Sequence, residues 1–327
     1  MSGGSLKGVS FIGCIRKLEE TGVLPSIMNY YGTSFGSLIL FMSAIGCSSD
    51  EMMENLIACI AEDGRKAAHR KPFIKVVMKC IERGGIDDGA ILLECVKRPL
   101  IKKMELSDIT FLELAKRTGK NLVVAGSNLS RSRREFFSVD DTPDMSVILA
   151  LRISASIPFV FQPVVHNAQV YVDGALFSNF PIDYVESVSN AVTLGILIDD
   201  FPLEDKEDAA GKKKSPEKKT LSLLDLIMTM WRSVLVRLNS SSSLSGRKDG
   251  ATHIVRIRSD DLMSLVVSSS LGFSFESMRF SLEHDEARTV ADHGYASLSR
   301  SFFDNFDDEN VNDENVNDKN VNDESTT

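Results

Sequence analysis

Short apolar runs alternate with segments of helical period through the first two hundred residues, and that alternation leaves few folds open. Asn121-Leu122-Val123-Val124-Ala125-Gly126 reads as a buried strand, and Val170–Val172 and Val192–Ile198 as two more, each reaching an aspartate at its end. Val9, Ile12, Ile15 and Leu18 stand three apart and predict a helix that ends at Gly22. Residues 51–62 and 73–82 carry the same signature, as does 107–118 with Ser107 as its cap. Strands alternating with helices predict an α/β protein with three layers, α/β/α, around a mainly parallel central sheet. In such sheets the functional groups gather at the carboxyl ends of the strands.

The chain has 327 residues and a formal net charge of −9, most of it at one end. Nine acidic residues against the single Lys319 fill 304–327, so the remainder is nearly neutral. A near-neutral body argues against nucleic acid, which needs a clustered basic surface. Five cysteines (14, 47, 59, 80 and 95) have no CxxC spacing and read as reduced, buried thiols. No metal-ligand spacing appears, and neither a metal nor an organic cofactor is expected. The N-terminus does not read as a signal peptide, and no apolar run approaches the roughly 18 residues of a membrane span. The expectation is an intracellular protein, soluble or peripheral to a membrane and not secreted.

Gly32-Thr33-Ser34-Phe35-Gly36 follows the strand-like run 27–31 and enters an apolar helical segment, 37–44. A serine on a tight strand-to-helix turn is pushed out of the backbone near a helix N-terminus, and glycines remove the Cβ atoms that such a turn cannot hold. Alone the five-residue pattern is weak. Two further elements bear on it. Gly3-Gly4-Ser5-Leu6-Lys7-Gly8 leads into the first helix. It is either a flexible terminus or a loop that aims N–H groups at an anionic oxygen, where one donor stabilises a transition state by about 3–4 kcal/mol. Tyr171-Val172-Asp173-Gly174-Ala175 is either a plain Asp-Gly turn or a carboxylate that takes the serine proton, if burial lifts its pKa from about 4 toward neutral.

Taken together, the glycine loop, the Gly-x-Ser-x-Gly and the Asp-Gly-Ala resemble the patatin-like phospholipase family. Text between the motifs shares the likeness: Thr110–Leu114 ahead of Gly119-Lys120, Ser154–Pro163 ahead of Asp173, and Asn179-Phe180-Pro181 after it. The resemblance covers about residues 3–200. It implies a lipid acyl hydrolase with Ser34 as nucleophile and Asp173 as its only catalytic partner, and an elbow at Gly32 and Gly36. It also implies an oxyanion loop at Gly3, Gly4 and Gly8, a motif at Asp173, Gly174 and Ala175, and a phospholipid or lysophospholipid substrate at a membrane surface. Two other readings stay open: an esterase triad with His253 or His284 as base, and a non-catalytic or impaired lipid-binding relative.

Two departures from the family pattern matter. Ser5 stands where the family has glycine, and a positive φ there costs serine about 1 kcal/mol. Only Met1-Ser2 precede the loop where a core strand is expected, which predicts a truncated or impaired form. The catalytic core is expected over 1–200, with a charged mobile loop over 201–220, completion of the same domain over 221–303 and a disordered repeat tail over 304–327. Leu223 to Leu238 form an apolar stripe beside Lys212–Lys214 that either packs on the sheet or makes peripheral contact with a bilayer through 221–238.

Overall fold

The computed structural model describes residues 1–67, 73–199, 252–258 and 284–303. The sequence readings at 204–219, 221–238 and 304–327 lie outside them, as does the side chain of His284. In chain order the elements are α1 (Ser10–Glu20), β1 (Asn29–Thr33), α2 (Phe35–Ala44), α3 (Ser49–Ala67), α4 (Phe73–Arg83), β2 (Gly85–Asp87) and α5 (Ala90–Met104). They continue with α6 (Phe111–Thr118), β3 (Asn121–Asn128), β4 (Arg133–Phe137), α7 (Val147–Ser154), β5 (Phe159–Phe161), β6 (Val164–His166) and β7 (Gln169–Asp173). The last are α8 (Ala175–Ser178), α9 (Ile182–Val188), β8 (Thr193–Asp199), β9 (Thr252–Arg258) and α10 (His284–Leu298).

The fold is α/β, as the alternation predicts. β3 is its axis, buried without a break from Leu122 to Asn128 and so covered on both faces. β1 lies parallel to the first half of β3, with Thr33 opposite Ala125. β7 lies antiparallel to the second half, with Asp173 opposite Gly126. β4 occupies the other edge of β3, so β1 and β7 share one edge and approach each other end to end. Parallel pairing also joins β2 to β5, and β8 to β9 over seven positions. Beneath the sheet runs α2, whose residues Gly36 to Ala44 are all buried, as an apolar helix inside a core must be.

The predicted helix after Val9 is α1, led in by a 3-10 turn over Ser5–Val9. It packs on α10 so closely that a Cβ on Gly13 would strike the Ala291 carbonyl and one on Gly294 the Ser10 carbonyl. The expected start at Ser107 is corrected. α6 begins after Thr110, whose hydroxyl accepts from the Glu113 N–H while the Glu113 carboxylate accepts from the Thr110 N–H. That reciprocal pair satisfies two end donors at once and outcompetes a lone serine upstream. Cys14, Cys47 and Cys59 are buried thiols as expected, but Cys80 and Cys95 are only partly covered.

Met1 and Ser2 lie between β1 and β8. The Met1 amino group donates to the Tyr31 carbonyl (2.7 Å) and the Met1 carbonyl accepts from Thr33 (3.2 Å). On the other side Ser2 N–H donates to Ile196 (3.1 Å) and its hydroxyl accepts from the Ile198 N–H (3.0 Å). Two residues thus join the two sheets where the resemblance implies a strand. Burial pushes the Met1 amino group down to about 5. Among the described residues no helix is long and apolar enough to cross a membrane.

Candidate active site

The strand register brings the site together. β1 ends beside Ala125 and β7 ends beside Gly126, so the residues that leave the two strand ends meet over one point of β3. Gly174 is required at that meeting, because a Cβ there would run into the Ala125 carbonyl oxygen. Ser34 follows β1 directly and holds φ +50°, ψ −128° as the cap of α2, a strained setting for a residue with a side chain. Its Oγ donates to Asp173 Oδ2 at 2.7 Å. Both residues are buried, Ser34 5% and Asp173 2% exposed, so water does not compete for this bond.

The Asp173 environment favours the protonated acid. Burial raises its pKa from 3.8 to about 7, against the Ser34 hydroxyl and the Ala175 N–H (2.8 Å), both of which stabilise the carboxylate. The outcome is a carboxylate with the basicity of an imidazole. That is the property a proton acceptor for a serine needs near neutral pH.

A clamp that the sequence did not single out holds the pair. Ser154, fully buried at the end of α7, accepts the Ser34 N–H on its hydroxyl at 2.8 Å. Its carbonyl accepts the Gly174 N–H at 3.1 Å, and the Ser156 carbonyl accepts the Asp173 N–H at 2.9 Å. Arg152 anchors the clamp in turn, donating to the Ser156 hydroxyl and to the carbonyls of Asp88 and Gln162. Ser154 and Ser156 stood in the sequence only as part of a family-like stretch. Their function comes from long-range packing, for which a single sequence carries no local signal.

The glycine loop lies against the serine. A Cβ on Gly3 would sit 3.3 Å from Ser34 Cβ and 2.6 Å from Asn179 Oδ1, and one on Gly8 would enter the Phe35 ring. Gly4 meets Ile198 in the same way, Gly36 meets the Ser2 carbonyl, and Gly32 would bring a Cβ within 2.7 Å of Ser37 Cα. The N–H of Gly3 is already donated, to the Asn179 carbonyl at 3.1 Å, so this glycine supplies space rather than a free donor. The N–H groups at the start of the 3-10 turn precede its hydrogen-bond ladder and have no acceptor within it. Ser5 does adopt the left-handed backbone, at φ +49°.

The described histidines are elsewhere. His166 sits beside Asn167 on β6, His293 lies on α10, and the His253 ring packs edge-on against Phe302. Among the described residues no group of three or more His, Cys, Asp or Glu side chains is placed to hold a metal.

The chain is 29% identical over 183 residues to a protein named "Probable lipid hydrolase 463L" from Invertebrate iridescent virus 6, covering 56% of this chain and 61% of the viral one. It is 27% identical over 246 residues to protein R571 of Acanthamoeba polyphaga mimivirus, covering 75% and 79%. Among solved structures, VipD from Legionella pneumophila aligns over 91% of this chain and 65% of its own, at 15% identity and a TM-score of 0.46. The chain therefore spans less than two thirds of the length of 463L and of VipD. The model of the family described as patatin-like phospholipase matches residues 1–185, more than half of the chain. The chain belongs to the patatin-like phospholipase family.

Proposed function

We propose that the protein is a lipid acyl hydrolase that cleaves carboxylic esters of phospholipids or lysophospholipids through Ser34 and Asp173. The observation that carries this reading is the buried 2.7 Å hydrogen bond between Ser34 Oγ and an Asp173 carboxyl lifted to about 7. As Ser34 Oγ attacks the ester carbonyl carbon, its proton passes to Asp173. The carbonyl oxygen becomes an oxyanion, received by N–H groups at the start of the 3-10 turn over Ser5–Val9, which have no acceptor within that turn. Collapse of the tetrahedral intermediate returns the proton to the departing alcohol and leaves an acyl-serine. Water, deprotonated by Asp173, then attacks the acyl carbon; the acyl–Oγ bond breaks, Asp173 returns the proton to Ser34 Oγ, and fatty acid leaves.

Acyl release from mixed phospholipid vesicles tests the reading. Wild type is expected to release fatty acid, with Ser34→Ala and Asp173→Ala each reduced by at least about a thousandfold, as for removal of members of a catalytic unit. Full activity in either variant overturns it.

A further inference from the structure

A second surface has no part in the chemistry above. α4 ends at Gly84, whose left-handed turn (φ +72°) sends the chain into β2, and the Gly84 N–H closes the helix on the Cys80 carbonyl at 2.9 Å. β2 pairs with β5, with Gly85 opposite Phe159. The result is an apolar group that the core does not take up: Ile81 is 73% exposed, Met78 47% and Phe159 36%. Met78 and Ile81 stand three apart and so on one face of the helix. Phe159 is held at φ +67°, a conformation that an aromatic residue adopts only under constraint. It stands three residues after Ser156, whose carbonyl accepts the Asp173 N–H, so the segment that fixes Asp173 leads directly into it.

Charge decides what this surface suits. By sequence, residues 65–83 hold seven Lys and Arg and one acidic residue, Glu82, in a chain that is otherwise acidic. Arg83 is exposed and Lys79 half-buried on the same two turns as Met78 and Ile81. Cationic side chains interleaved with exposed apolar ones on a helix match the headgroup region of an anionic bilayer, where apolar atoms enter the acyl boundary and ammonium and guanidinium groups stay with phosphates. Scattered exposed apolar residues need no explanation. Met78 and Ile81 do, because they stand in this basic stretch on either side of Cys80, whose Sγ lies 3.8 Å from the Phe159 carbonyl.

We infer that the C-terminal half of α4, with Phe159 beside it, is the surface through which the protein docks on an anionic phospholipid bilayer and takes lipid into the Ser34 site. This rests on the lipid hydrolase reading for its purpose but not for its detection. The test uses the full chain with Ser34→Ala, so that vesicles stay intact. Vesicles of phosphatidylcholine with phosphatidylglycerol are sedimented and the bound fraction measured, with vesicles of phosphatidylcholine alone as reference. Binding is expected on the anionic vesicles and is expected to weaken as salt rises.

Met78→Asp/Ile81→Asp should lower partition by more than about tenfold on either vesicle, since it removes the inserted apolar groups. Lys79→Glu/Arg83→Glu should lower it by about tenfold or more on anionic vesicles only. In the Ser34-intact protein both pairs should leave hydrolysis of a soluble short-chain ester and the melting temperature unchanged while reducing hydrolysis of vesicle lipid. Unchanged partition in both pairs, or no vesicle binding by the parent, overturns the inference, the latter in favour of a protein partner for this face. Intact partition with no hydrolysis of any ester by the Ser34 protein sinks the hydrolase reading alone.

Discussion

The two walls of the site are built differently. On the wall made by β1, β7 and α7, every group that fixes the reacting pair is bonded. The Ser34 N–H is held by Ser154, the Asp173 N–H by Ser156, the Gly174 N–H by Ser154, and both carboxylate oxygens have donors. The wall made by the Gly3–Gly8 loop rests on fewer ties. Gly3 is pinned to Asn179, Ser5 is strained at φ +49°, and Met1 and Ser2 connect the loop to the sheet on either side. The difference teaches that the Ser34–Asp173 pair is positioned by a hydrogen-bond network, whereas the glycine-loop wall depends more on steric fit. Substitutions on the first wall should therefore alter catalysis, and those on the second should alter local stability first.

The largest expected effect separates function from stability at one atom. Asp173 holds its proton more tightly in the folded protein (about 7) than in the unfolded chain (3.8). Between those values the folded state binds more protons, so this group's contribution to stability falls as pH rises through that window and stays lost above it. Asp173→Asn keeps the acceptor for Ala175, cannot take the Ser34 proton and carries no charge to bury. It should abolish ester hydrolysis while stabilising the protein at pH 8 by as much as about 4 kcal/mol, read by denaturant unfolding. A loss of stability at pH 8 would place the cost of the site somewhere other than this carboxylate.

Ser154→Ala comes next. It leaves the buried Ser34 N–H without an acceptor, a cost of about 1–3 kcal/mol. Part of that should appear as a fall in kcat of about ten- to a hundredfold with KM little changed, measured on a soluble ester. Ser154→Thr, which restores the hydroxyl, should recover most of the rate, whereas a role limited to filling space would be met by alanine.

The smallest effect lies on the loop wall. Ser5→Gly relieves a left-handed serine and should raise stability by about 0.5–1 kcal/mol, seen in thermal unfolding. An equal or larger change in kcat would mean that the loop wall is as tightly coupled to the chemistry as the other.

What could be read from the chain follows the same division. The elbow, the Asp-Gly turn and α1 were legible because each rests on local chemistry: glycine where a Cβ would clash, an apolar spacing of three, an aspartate closing a strand. Thr110 was legible in principle, since Thr-x-x-Glu spells out its cap, yet Ser107 drew the boundary instead. The end-to-end approach of β1 and β7 along β3, the Ser154 clamp, Arg152 and the β2–β5 pair were not legible. Each joins residues far apart in the chain, and no local pattern encodes the pairing. The strain at Ser5 was anticipated from a single departure in residue type, and the backbone angle bears it out.

Labelling with a fluorophosphonate ester, followed by peptide mass analysis across a pH series, tests the Ser34–Asp173 pair most directly. The adduct should form on Ser34, at a rate that rises through pH near 7 as Asp173 ionises and then levels off, and it should be absent in Asp173→Asn. An adduct on another serine, or one on Ser34 that persists in Asp173→Asn and is lost in His253→Ala, would contradict the account.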